Sequence, residues 1–110
     1  MASRHFRLVS AATTNLTQVG VYPGKLNGYV IINNNAAARY VKFYDALVPV
    51  VGTTTPVLTL LVPATSQISF DLANGAFFGN AMWIATTANL VDSDTTAVSA
   101  RDLYISLFVE

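Results

Sequence analysis

The sequence predicts an all-β protein: a single antiparallel β-sandwich, jelly-roll-like, of about eight short strands. Three observations carry this expectation. Apolar residues recur with a period of two almost throughout. β-Branched and aromatic residues fill the apolar runs. Gly, Pro and Asn interrupt those runs at intervals of roughly ten residues, which suits strands joined by turns. No helix is expected: the best candidate, "NNNAAARY", sets its alanines between turn residues and a strand.

The elements follow in order. From His5 to Ala12 the chain alternates, with Phe6 and Leu8 on one side and His5 and Arg7 on the other. Thr17 to Tyr22 is a second run, stopped by Pro23-Gly24. In "LNGYVIINN", Tyr29 and Ile31 share a face opposite Val30 and Ile32. Asn33-Asn34-Asn35 is turn chemistry, since asparagine tolerates left-handed backbone and bonds its own main chain. "ARYVKFYDA" then returns, and the two runs read as a hairpin. A long connection with Gly52 and Pro56 leads to a strand over Val57 to Val62. "SQISFDL" points Ile68, Phe70 and Leu72 inward, and Asn74-Gly75 is a strong tight-turn signal before "FFGNAMWIATT". The final run, "DLYISLFV", has Leu103, Ile105, Leu107 and Val109 on one face and Tyr104, Ser106 and Phe108 on the other. That predicts a central strand covered on both sides.

A chain of 110 residues suits one domain, 1–110, with no second core. Residues 1–14 are either an N-terminal arm that clasps a neighbour or simply the first strand. Hydrophobic residues make up 53% and charged residues 11%, against the usual quarter or so, and formal net charge is zero. Low net charge favours association, so part of the apolar excess is expected to be buried against other subunits or a partner.

Several functions are excluded. Arg4, Arg7, Lys25, Arg39, Lys42 and Arg101 are scattered, so the basic patch of a nucleic-acid binder is not expected. With no cysteine, disulfides and thiolate zinc sites are ruled out. "MASRHFRLVSAATT" lacks a secretory h-region, and the apolar runs fall short of a membrane span. The lone His5, with no G-x-S-x-G setting and no glycine-rich phosphate loop, gives no catalytic constellation. No enzyme activity, cofactor or metal is implied. Asp92 and Asp94 in "VDSDTT" begin a calcium-loop pattern, but Thr96 and Ala97 break it where an Asp or Asn and a glycine are needed. The expected role of that stretch is an Asx-turn connection.

Aromatic residues are the remaining candidates for a binding surface: Tyr22, Tyr29, Tyr40, Tyr44, Trp83 and Tyr104. Tyr40 and Tyr44 flank Lys42 on the side opposite Val41 and Phe43. If that side faces out, it presents two tyrosines and a cation in a line. Tyr40, Lys42 and Tyr44, with Arg4 and Phe6 of the first strand, form the candidate protein interface.

From Lys42 to Val109 a series of short motifs recurs in order: Lys42 to Asp45, Val51 to Thr59, Pro63-Ala64, Asn74 to Phe77, Ile84 to Thr87, Asp92 to Val98 and Asp102 to Ile105. This stretch resembles a family of small virion structural proteins of tailed bacteriophages, either capsid-associated or tail-associated. The resemblance implies a decoration (cement) protein on the outer surface of the head, made in the host cytoplasm. Its partner would be the major capsid protein, and it would act as a homo-oligomer, a dimer or trimer. The alternative is a tail, neck or fibre module with a structural or adhesive role.

Overall fold

A computed structural model describes residues 3–20 and 23–110. Among these there are eight strands and no helix: β1 (Arg4–Val9), β2 (Thr17–Gly20), β3 (Gly24–Asn33), β4 (Arg39–Asp45), β5 (Leu58–Val62), β6 (Ser66–Phe78), β7 (Met82–Thr87) and β8 (Leu103–Val109). They form two four-stranded sheets, ordered β1-β8-β3-β6 and β2-β7-β4-β5. Every pairing is antiparallel. This double-sheet order is a jelly roll, as expected. Of the segment read as an arm or first strand, Arg4–Val9 forms β1, paired with β8. Met1, Ala2, Val21 and Tyr22 lie outside the described residues.

Period-two alternation builds the core. Leu103, Ile105, Leu107 and Val109 are all buried and face the opposite sheet. Register stacks them between neighbours: Ile105 sits opposite Leu8 on one side and Ile31 on the other, and Leu107 opposite Phe6 and Tyr29. The second sheet answers with Val41, Phe43 and Ile84, each fully buried. Full burial of one such side chain stabilises by about 1.5–3 kcal/mol.

Four expectations are corrected. β3 and β4 are not a hairpin; they lie in different sheets. The asparagines between them make a corner instead. Asn33 Nδ2 donates to the carbonyls of Ala37, Val62 and Pro63 at 2.9, 3.0 and 3.2 Å, and its Oδ1 accepts from Asn35 N at 2.8 Å. Satisfying a buried amide this way favours a turn between sheets over a return along the same one.

Asn74-Gly75 is not a tight turn between strands. β6 runs through it, pairing Asp71 with Gly28 and then Ala76 with Leu26, so residues 72–75 form a bulge opposite Asn27. Gly75 takes φ +73°, and a Cβ there would meet Asn27 Oδ1 at 2.6 Å. The turn into β7 comes later, where the Asp45 carboxylate accepts from Gly79 N and Asn80 N at 3.0 and 2.8 Å.

β8 is central, but Tyr104, Ser106 and Phe108 on its outer face are only half-buried, so it is covered on one side. On β6, Ile68 and Leu72 pack on the core while Phe70 is mostly exposed at the rim.

Candidate interaction surfaces

The outer face of β4 is not the solvent-facing line that the sequence suggested. Lys42 and Tyr44 are completely buried, and Tyr40 is half-buried. The segment after β7 covers them: Lys42 Nζ donates to the carbonyl of Val91 at 2.7 Å. The β4–β5 loop closes against the same segment, since a Cβ on Gly52 (φ +89°) would strike Thr95 Cγ2 at 2.6 Å. Alternation along β4 is as expected; what the local pattern could not supply is the loop that covers one side.

Burial pushes the Lys42 amine down from its usual value, and the Asp94 and Asp92 carboxylates partly oppose that. Burial, then the Asp92 charge, raises the Tyr44 phenol. Beside it, opposite Tyr44 on β7, stands Trp83. Tyr44 Oη and Trp83 Nε1 are both buried without a hydrogen-bond partner among the described residues. Tyr22, another of the candidate aromatics, lies outside those residues.

The D-S-D stretch works as a loop closure. Asp94 accepts from Asn89 Nδ2 at 3.1 Å, Asn89 N at 3.1 Å and Thr96 Oγ1 at 2.8 Å. Burial pushes this carboxyl up, but the Asn89 and Thr96 donors outweigh it and hold the group below its ordinary value. Asp92 itself is exposed.

The hub at Asp102 was not among the candidates drawn from the residue pattern. This carboxylate is nearly buried and accepts from Arg39 Nε at 3.0 Å, Ser99 N at 2.9 Å and Asn35 Nδ2 at 3.0 Å. Burial alone would raise its titration; the donors from Asn35, Ser99 and Arg39, and the Arg39 charge, lower it instead. It ties the start of β8 to the corner before β4.

Of the other named candidates, Arg4 is exposed at the rim of β1, and Phe6 turns inward against the core. The structure does not gather Arg4 and Phe6 into one surface with Tyr40, Lys42 and Tyr44. The outer face of the β1-β8-β3-β6 sheet does carry apolar groups: Phe108 stacks edge-on with His5 at 5.3 Å, and Ile32 is exposed.

The most exposed apolar side chains lie elsewhere, in the loop after β4 (Val48 82%, Leu47 69%), near the end of β6 (Phe77 68%), in the segment after β7 (Val91 63%) and just before β5 (Val57 60%). A groove of about 430 Å³ opens between the free edges of β5 and β6, lined by Val57, Leu58, Leu60, Phe70, Leu72 and Phe77 among others. None of its lining residues is charged. In the sequence, "ALVPVV" (Ala46 to Val51) is one of the apolar runs too short to span a membrane. Its usable signal was an apolar run in a loop, beyond the reach of either sheet.

Fold and surface together define an antiparallel jelly-roll β-sandwich with uncovered apolar surface. No protein-family profile matches the chain, and no curated protein does. Among solved structures it is similar to one of Bacillus endospore appendages, described as a novel family of disulfide-linked pili. That likeness has a TM-score of 0.53 at 16% identity, over 97% of this chain and 82% of the other. PirA follows at 0.49 and 10% identity, covering 98% of this chain and 94% of that one. The coat protein of Tobacco streak virus gives 0.42 and 13%, over 97% and 85%. At 16% identity the appendage structure shares the fold with this chain.

Proposed function

We propose that the chain is a structural virion protein of a tailed phage: a decoration (cement) protein that binds the outer surface of the assembled head. It stabilises the head by bridging major capsid subunits. The observation that carries this reading is the set of exposed apolar side chains Leu47, Val48, Val57 and Phe77 on a jelly roll of zero net charge. Large apolar side chains left exposed in number are ordinarily covered by another protein.

Two things support the virion setting. The stretch from Lys42 to Val109 resembles small phage virion proteins, and the fold is shared with an appendage built as a polymer. That appendage is disulfide-linked, whereas this chain has no cysteine, so a disulfide cannot link its copies. Stabilisation then works by mass action: a protein that binds only the assembled lattice favours it by an amount set by occupancy and affinity. Oligomers add avidity, because several weak contacts engage one lattice together.

The test uses heads assembled without this protein. Purified protein is added back, co-sedimentation measures saturation, and heating measures DNA release. Saturable binding with later release at higher temperature is expected. Binding to tails alone would transfer the chain to the tail, neck or fibre reading, and binding to neither would end the virion assignment.

A further inference from the structure

We infer that Asn74 is a self-modification site, whose side-chain amide is slowly displaced by the main-chain nitrogen of Gly75. The product is an aspartyl or isoaspartyl residue. The same dipeptide at Asn27-Gly28 is held intact by the sheet.

The chemistry needs only these two residues and water. Gly75 N attacks Asn74 Cγ and gives up its proton to solvent, the Cγ–Nδ2 bond breaks, and ammonia leaves. A five-membered cyclic imide results. Water then adds to one of its two carbonyls. Opening at Cγ gives aspartate; opening at the main-chain carbonyl gives isoaspartate, in which the chain runs through the side chain. A following glycine favours the step, because no Cβ shields the attacking nitrogen and the backbone is free to adopt the geometry of attack.

Asn-Gly occurs twice in the sequence, at Asn27-Gly28 and Asn74-Gly75. The two pairs are neighbours, since a Cβ on Gly75 would meet Asn27 Oδ1 at 2.6 Å. Their backbones differ. Gly28 is buried and paired on both sides, with Phe108 of β8 and Asp71 of β6. A Cβ there would lie 2.9 Å from Phe70 O, so neighbouring main chain crowds the residue. The Asn27 amide is itself held, donating from Nδ2 to Ser3 Oγ at 2.8 Å. Asn74, by contrast, is exposed, and residues 72–75 have no register partner on β3. β6 is an edge strand, so no strand pairs with its other side. Ring closure at Asn74 therefore breaks no ladder, whereas at Asn27 two ladders must open first.

The bulge also tolerates the product. An isoaspartyl link lengthens the main chain by one atom, and within the bulge that insertion leaves the Asp71–Gly28 and Ala76–Leu26 pairs in place. Either product adds a carboxylate to a hollow of about 410 Å³ lined by Lys25, Asp71, Asn74 and Glu110 among others, and takes the net charge from zero to minus one. The modification alters the surface of a folded chain and leaves its sheets alone.

Peptide mapping of the full chain tests this. Protein is held at neutral pH for weeks, either folded or in urea, and chymotryptic peptides are read by mass spectrometry for the one-dalton gain at each asparagine. Electron-transfer fragmentation separates aspartate from isoaspartate. In folded protein Asn74 should convert at least about 100-fold faster than Asn27, the ratio that about 2.7 kcal/mol of ladder opening imposes. In urea the two rates should converge. Asn74→Asp, which installs one product directly, should keep the wild-type circular dichroism and urea midpoint. Equal rates at the two sites in folded protein, or an Asn74 that converts only in urea, would overturn the inference. Unfolding of Asn74→Asp would overturn the claim that only the surface changes.

Discussion

Replacing Asp102 with asparagine removes the charge at the junction of β8 with the corner before β4 and changes almost no volume. The carboxylate's Oδ2 holds both Arg39 Nε (3.0 Å) and Ser99 N (2.9 Å), and Oδ1 holds Asn35 Nδ2 (3.0 Å). Asparagine has one acceptor oxygen. If it keeps Asn35, its NH₂ group faces two donors that then lack a partner. A hydrogen bond to a charged group contributes about 1.5–3 kcal/mol, and breaking a buried ion pair from one side costs about 3–5 kcal/mol. Arg39 retains 15% side-chain exposure, so water relieves part of the loss and the lower end applies. The expected cost is about 3 kcal/mol by urea unfolding at pH 7, or about 12 °C in Tm at roughly 4 °C per kcal/mol. Arg39→Met should cost less, because Asp102 keeps its donors from Asn35 and Ser99. The sign with pH follows from the lowered titration of Asp102. A carboxyl depressed in the folded state contributes stability above its unfolded pKa, and that contribution is lost as pH falls through the folded value. The gap between wild type and Asp102→Asn should thus narrow below about pH 4. A variant within about 0.5 kcal/mol of wild type at pH 7 would refute the hub.

Other outcomes are equally definite. Ile105→Ala opens a cavity between Leu8 and Ile31 and should cost about 2–5 kcal/mol in the same urea assay. Thr65, a β-branched residue at φ +50°, is strained, so Thr65→Asn should gain about 0.5–1 kcal/mol, read as a higher Tm. Lys42→Met removes a buried cation held by one carbonyl. Val91 is exposed, so water can take over its carbonyl, and global stability should move by no more than about 1 kcal/mol. Hydrogen exchange at Asp92–Asp94 should nevertheless accelerate, because that contact tethers the loop. Asp45 and Asp94, both depressed, should add to acid lability in the same sense as Asp102.

Much of the fold is legible because strands announce themselves locally. Leu103, Ile105, Leu107 and Val109 at alternate positions describe the inner face of β8 without reference to anything else. Pairing is not local. Asn33-Asn34-Asn35 correctly signals a turn, but whether it returns the chain along its own sheet or sends it to the other depends on carbonyls at Val62 and Pro63. Asn74-Gly75 signals a reversal that β6 absorbs as a bulge, because Asp71 and Ala76 both keep their β3 partners. The β4 surface failed for a similar reason: its alternation is visible, while its cover comes from Val91, 49 residues away. The role of Asp102 could not be read locally because its partners, Asn35 and Arg39, are 67 and 63 residues distant. The exposed apolar loop could have been suspected from "ALVPVV" alone, since a loop has no inner face on which to hide four aliphatic side chains.

The most direct test of the central claim is a count. On the proposed virion reading, heads and tails of the encoding phage are separated, and the polypeptide is quantified in each fraction by mass spectrometry. A decoration protein requires copies in the hundreds on heads, comparable with the number of capsid subunits. A handful confined to tails, or none in either fraction, would contradict it.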